Sequence, residues 1–281
     1  MWYNIGEAVS RFDVRKCCDC MKFGCNYSSE LMFLLDQQHV DVDVVKMGYF
    51  GPFIDLHQDI AQIKELLIHG FGWHEHIGMV DPERNNDWVL MNRIMKDYNN
   101  DYLAVHFSVY EQDMMGKSDP YKVLEEGLQT FIQHSEVPVM LENMDHNPMY
   151  NRLCVMREAV EPMFITHMCE KYDLKLLLDT AHASVSAWHL NMDVYDYMAQ
   201  MPLDRVQEVH LVGTQLTEDQ GLKDMHTPLK DHDYQLMDWL MERMTPNVIT
   251  LEYGWPGQEF KWRTKEEKIL EQLTEIRHRY G

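Results

Sequence analysis

Histidines and carboxylates that terminate apolar runs are the residues of this chain whose type and spacing could do chemistry. His69 closes LLIH, His106 closes LAVH, Glu142 closes VMLE, and Asp179 closes LLLD with His182 three residues on. His210 follows QEV and Glu252 closes ITLE, while Asp224 and His226 lie in DMH, a little after HLVG. Each alone has an ordinary use, as a hydrogen-bonded core histidine, an ion-pair partner, a helix cap or a polar turn. Together they would place an ionisable group beside an apolar run again and again, where desolvation is costly, and that recurrence points to a common purpose. Imidazoles mixed with carboxylates and without thiolates suit iron, zinc or manganese. Four carboxylates and five imidazoles exceed what one ion takes and suit two or three ions bridged by a carboxylate. The donor types do not separate iron from zinc. His74 and His76 stand close to His69, and His189 close to His182, as competing donors, with His74 the alternative to His69.

The elements that must position these residues alternate from end to end, short β-rich runs with longer stretches of helical period. Strands are predicted at 3–9, 42–50, 65–71, 102–110, 137–144, 174–183, 206–213 and 248–254. Helices are predicted at 29–37, 55–64, 81–98, 120–134, 152–172, 193–201, 234–244 and 265–278. Asp81 before Pro82 and Asp119 before Pro120 read as caps ahead of a first-turn proline, and Thr264 with Glu267 as a capping box. Eight βα units imply an α/β fold, a (β/α)8 TIM barrel in a single domain over residues 1–281, with no linker or repeat to divide it. Active sites of such barrels lie at the carboxyl ends of the strands, and six of those ends carry the residues above. The second strand offers Lys46, which is no ligand candidate.

Composition narrows the partners. With 46 acidic against 25 basic residues the formal net charge is −21, which repels polyanions at long range; nucleic acid is not an expected substrate. No segment approaches the roughly 18 apolar residues of a membrane span, and the amino terminus has no basic stretch followed by an apolar run. A soluble, cytoplasmic protein without a membrane partner is expected. Cys17, Cys18, Cys20 and Cys25, in the expected first βα loop, have a spacing that fits no standard zinc pattern. They read as reduced thiols in a loop, with Cys154 and Cys169 in a later helix. The 22 methionines read as fillers of irregular core gaps.

The run LLLDTAHASVSAWHLNMD, followed by MPLDRVQEVHLVG, resembles the multinuclear non-heme iron-dependent oxidative enzymes, xylose-isomerase-like barrels that modify peptides. GYFGPF, IHGFG, LENM, DMHTPL and LEYG fit the same resemblance, which covers residues 42–254. The order of donors is also similar to that of the three-zinc apurinic endonuclease barrels. That similarity implies one metal on His69, His106 and Glu142, a second on Glu142, Asp179, His210 and Glu252, and a third on His182, Asp224 and His226. Glu142, Asp179 and His210 are then the expected catalytic residues, with Asn143 among the groups that orient the ligands. The chain departs from the iron-enzyme pattern at His182, where many relatives are expected to have Asn, and at Thr214, where a further histidine is expected.

The resemblance implies two or three iron ions that activate dioxygen to oxidise a peptide, at cysteine or elsewhere, or a small molecule, with a peptide-recognition partner protein. Zinc or manganese would fit the alternative: metal-assisted hydrolysis, or isomerisation or epimerisation of a sugar, on a barrel of the xylose-isomerase-like superfamily. A non-catalytic metal-storage or peptide-binding module is a third reading, distinguished by coordinatively closed ions.

Overall fold

Runs of branched and apolar residues form strands that pair in parallel, because helices return the chain across the outside of the sheet after each one. The computed structural model describes residues 21–49, 51–71, 78–257 and 260–281. In chain order the elements are β1 (Lys22–Asn26), α1 (Ser29–Asp36), β2 (Val44–Gly48), α2 (His57–Ala61), β3 (Glu65–His69), α3 (Pro82–Asn85), α4 (Trp88–Asp97), β4 (Leu103–His106), α5 (Pro120–His134) and β5 (Val139–Glu142). They continue with α6 (Pro162–Lys171), β6 (Lys175–Asp179), α7 (Thr180–His189), α8 (Val194–Met198), β7 (Val206–Leu211), β8 (Gly213–Thr217), β9 (Gly221–Thr227), α9 (Asp231–Met241), β10 (Val248–Leu251) and α10 (Glu266–Tyr280).

Eight strands make one sheet in the order β3-β2-β1-β10-β7-β6-β5-β4, every pairing parallel. Its outer strands meet just beyond β3, where Phe71 bridges Val105 and the His106 amide donates to the Phe71 carbonyl at 2.9 Å. The sheet therefore closes as a (β/α)8 TIM barrel. β8 and β9 form a separate antiparallel hairpin after β7. Among the described residues no helix is long and apolar enough to cross a membrane.

Alternation along each strand sends one set of side chains into the barrel and the other onto the helices. In β6, Leu176 and Leu178 join the outer core while Leu177 packs inside the barrel with Ala104 and Met140. Val44, Leu67 and Val248 form the matching apolar cluster on the other side. The outer core takes the apolar stripes of the helices: Leu124, Leu128 and Phe131 of α5, at helical spacing, and Ile269, Leu273 and Ile276 of α10. Gly24 on β1 is a contact point that a side chain would spoil, since a Cβ there would lie 2.6 Å from Val44 Cγ2.

Several sequence expectations change. The predicted strand at 3–9 lies outside the described residues, as do Cys17, Cys18, Cys20, His74 and His76, and the first strand of the barrel is Lys22–Asn26. Cys25 is thus buried in a strand and not placed in a βα loop. The strand predicted at 174–183 stops at Asp179, and α7, which was not expected, starts at the next residue. The helix predicted at 152–172 starts at Pro162, which leaves Cys154 before it and Cys169 within it. Asp119 caps α5 through the Lys122 amide, but Asp81 has a left-handed backbone (φ 46°) that turns its carboxylate away from capping α3. Thr264 and Glu267 form no capping box, because α10 begins one residue later, after Lys265.

Candidate metal centre

Strand register brings the sequence-predicted donors to the mouth of the barrel. His106 pairs with Glu142 and Asp179 with His210 across neighbouring strands, while Glu142 is level with Leu177, so that the stagger of β5 on β6 carries Asp179 one inward position further. Glu252 follows β10 directly and its amide donates to the Leu211 carbonyl at 3.1 Å. Asp224 and His226 arrive on β9 of the hairpin, not in an irregular loop. There the ladder shifts register between Gly213 and Thr214, and His226 takes a left-handed backbone (φ 46°). Such irregularities re-aim side chains beside active sites.

Three groups of donors converge so closely that their ligand atoms lie within 4.8 Å of one another: His69, Glu142 and His210; Glu142, Asp179 and His182; and Asp179, His210 and Glu252. Glu142, Asp179 and His210 are each shared by two of them. His106 Nε2 lies 3.2 Å from Glu142 Oε2. On the hairpin side, Asp224 Oδ2 lies 3.3 Å from His226 Nε2 and 3.6 Å from His182 Nε2. His189 is not part of this cluster; its Nε2 contacts the Leu222 carbonyl at 3.1 Å.

The polar atoms at the centre are buried but incomplete. His69 Nδ1, His106 Nδ1, Glu142 Oε2, Asp179 Oδ2 and His210 Nδ1 are shielded from solvent and have no hydrogen-bond partner. Orphaned buried polar groups are rare because each costs about 1–3 kcal/mol, and donors of this type around one point fit metal ions.

The surrounding bonds fix which nitrogen His182 and His226 offer. His182 Nδ1 contacts the Asn143 carbonyl at 2.8 Å and His226 Nδ1 the Glu252 carbonyl at 2.9 Å, so each Nδ1 carries a proton and each Nε2 is the nitrogen turned to the cluster. Asn143 also clasps β6, donating to the Asp179 carbonyl at 3.0 Å and accepting from the Asp179 amide at 2.9 Å. Asp179 Oδ1 in turn accepts from the His182 amide at 2.7 Å, which leaves Oδ2 turned to the cluster. No hydrogen bond fixes His210: Nδ1 faces Glu142 and Glu252, both at 3.4 Å, and Nε2 lies 3.4 Å from Glu208.

Electrostatics agree with a missing positive charge. Burial and the nearby Lys46 ammonium would lower His210, but Glu252, Glu142 and Glu208 hold it well above the ordinary imidazole value. Burial likewise opposes a charge on His182, and Asp179, Asp224 and Asp145 outweigh it and push it well up. Protons on these imidazoles balance the carboxylates, and a bound cation would displace them. His69 goes the other way, lowered to about 3 by burial and by Lys46 against the pull of Glu252 and Glu142, and is a neutral imidazole at pH 7.

The sequence matches the family described as RiPP precursor modification enzyme MbnB/TglH/ChrH over residues 45–275. The chain belongs to this family. A UPF0276 protein of Caulobacter vibrioides is 29% identical over 118 residues, which is 42% of this chain and 40% of that protein's length. A putative xylose isomerase from Rhodospirillum rubrum superposes with TM-score 0.58 at 12% identity, covering 92% of this chain and 99% of that one. Endonuclease IV from Thermus thermophilus gives TM-score 0.53 at 14% identity, covering 90% and 99%. The solved structures share the xylose-isomerase-like barrel.

In this member of the MbnB/TglH/ChrH family the donors open onto a cavity of about 150 Å³, lined by His69, His106, Glu142, His182, His226 and Glu252 and also by Phe53, Trp255 and Arg263. Sequence reading missed Asp145, whose carboxyl burial pushes up; it lines the same cavity three residues past Glu142, a position signalled by LENMD. It also missed Glu208, although period-two alternation from His210 puts it on the same inward face. Glu208 accepts from Lys46 Nζ at 2.5 Å and from Thr250 Oγ1 at 2.9 Å, a salt bridge sealed inside the barrel. Asn26, on the unpredicted β1, donates to Glu252 Oε1 at 3.2 Å.

Proposed function

We propose that the protein is a multinuclear iron-dependent oxidative enzyme that uses dioxygen to modify a precursor peptide. The observation that carries this reading is the overlap of three donor groups through Glu142, Asp179 and His210, with orphaned atoms turned towards one cavity. His69 and His106 with Glu142 would hold one ion, Glu142, Asp179, His210 and Glu252 a second, and His182, Asp224 and His226 a third. Iron bound there would supply dioxygen activation and oxidation of the substrate. The protein's own part is orientation: Asn143 sets Asp179 and His182, the Glu252 carbonyl sets His226, and Glu208 faces His210 Nε2 at 3.4 Å.

Membership of a family of RiPP precursor modification enzymes supports a peptide substrate, and a cysteine-containing precursor, presented by a peptide-recognition partner protein, is the first to test. The decisive experiment is anaerobic reconstitution with ferrous iron, followed by exposure to oxygen with peptides encoded beside the gene. Uptake of two or three iron ions per chain and peptide-dependent oxygen consumption are expected. Protein that takes up zinc alone and consumes no oxygen would overturn the proposal in favour of hydrolysis or isomerisation.

A further inference from the structure

The cavity at the barrel mouth is acidic, with Glu142, Asp145 and Glu252 in its walls, and one residue opposes them. Arg263 is the only lysine or arginine among its described lining residues. It sits on the short turn after β10, is 9% exposed, and reaches the cavity beside Trp255. Its guanidinium carbon lies 5.0 Å from the Trp255 ring centroid and 5.6 Å from that of Phe260, two rings that meet edge to face at 5.0 Å. Nε donates to the Gly254 carbonyl at 2.9 Å, which fixes the plane of the group. Among the described residues no carboxylate lies within ion-pair distance of it and its terminal nitrogens have no acceptor, although Glu252 and Asp224 attract it from further off.

A guanidinium that is buried, stacked and held at one edge presents its remaining donors in a fixed fork, the geometry that matches a carboxylate in two parallel hydrogen bonds. Burial of a charge without an ion pair is costly, and among the described residues Arg263 has none, so a carboxylate from outside would complete the site. The acidic walls favour a singly charged anion over a phosphate dianion. A cavity of about 150 Å³ has room for roughly five waters, which suits one residue carrying its own carboxylate. We propose that Arg263 receives a carboxylate of the substrate and thereby anchors it beside the metal-binding donors. This rests on the reading of the cavity as the active site, but not on iron or oxygen.

The test is calorimetric titration of metal-loaded protein, zinc sufficing, with N-acetylalanine, N-acetylalaninamide, Nα-acetylaspartamide with a free β-carboxylate, and inorganic phosphate. The free acid is expected to bind at least about tenfold more tightly than its amide, an advantage lost in Arg263→Gln and partly kept in Arg263→Lys. Comparable binding of the aspartamide would assign the group to a side-chain carboxylate, and preference for N-acetylalanine to a chain terminus. Equal binding of acid and amide, no measurable binding of either acid, tighter binding of phosphate, or an acid preference unchanged in Arg263→Gln would each overturn the proposal; the last would mean that the probe sits on the metal alone. The acid-to-amide comparison leaves the protein untouched, so it stands even where a variant folds poorly. Metal content measured on each variant separates loss of the anchor from loss of the ions. Failure to consume oxygen would sink the iron reading and leave this result intact.

Discussion

Glu208 and His210 sit two residues apart on β7, both facing into the barrel, and their surroundings differ. Glu208 is satisfied by Lys46 and Thr250, with the Tyr102 hydroxyl a further donor at 3.4 Å. One inward position towards the mouth, His210 faces Glu142, Asp179 and Glu252, and the orphaned atoms gather. The deeper layer is balanced by a lysine in direct contact, whereas among the described residues the outer carboxylates face imidazoles that hold protons only because of them. Ionic side chains inside a barrel therefore do not by themselves mark a site; incompleteness does.

Removing a donor from the outer layer should have the largest effect. Glu142→Ala takes away the carboxylate shared by two donor groups, and a loss of metal affinity of at least about 100-fold, with little loss of fold, is expected from metal analysis and circular dichroism. Retention of full metal content would place the ions elsewhere. In the balanced layer the effect should appear as stability instead: Lys46→Met leaves Glu208 buried without its cation and should cost roughly 3–5 kcal/mol in urea unfolding, whereas Lys46→Met with Glu208→Gln should recover much of it. A double variant no better than the single one would contradict the pairing.

Glu208→Gln links the two layers. It keeps the shape but weakens the hold on His210 Nε2, and a 10–100-fold fall in metal affinity is expected in competition with a chelator. The layers should also part with pH. Because nearby carboxylates raise His210 and His182, ions must displace protons, so metal affinity should fall as pH drops below 7, read by chelator competition across pH 5–8. The smallest effect concerns Glu208. Burial opposes its ionisation, yet Lys46 and His210 lower its carboxyl to about 2. That lies below an unfolded value of about 4.3, so its contribution to stability is whole above pH 4.3 and fades as pH falls through 2. Acid unfolding of Glu208→Gln should lack this component.

The barrel was legible in the sequence because strands buried on both faces read as apolar runs, and a ligand that ends such a run breaks the pattern visibly. KFGCN, the first strand of the barrel, offers no such contrast. α7 was hidden by small residues, Thr180, Ala181, Ala183, Ser186 and Ala187, buried all round and without an amphipathic stripe. The strand carrying Asp224 and His226 mixes apolar and polar residues on both faces and is half-buried throughout, so alternation is silent there. Lys46 could be dismissed as a ligand from its type, but its partner lies 162 residues away, and Arg263 acquires meaning only once the fold sets it beside Trp255. Spacing finds donors; it does not find what completes them.

Asp179 divides its two oxygens between different tasks, one holding the first turn of α7 and the other turned to the cluster. The carboxylate is held by a bond within the chain, from the first turn of α7. The opposite flank is carried by a two-stranded ribbon, tied to the body by Asn147 and His189 at Leu222, by Trp262 at Met225 and by His226 at the Glu252 carbonyl. The two flanks thus rest on different supports, a helix turn that continues a barrel strand on one side and a hairpin laid over the strand ends on the other.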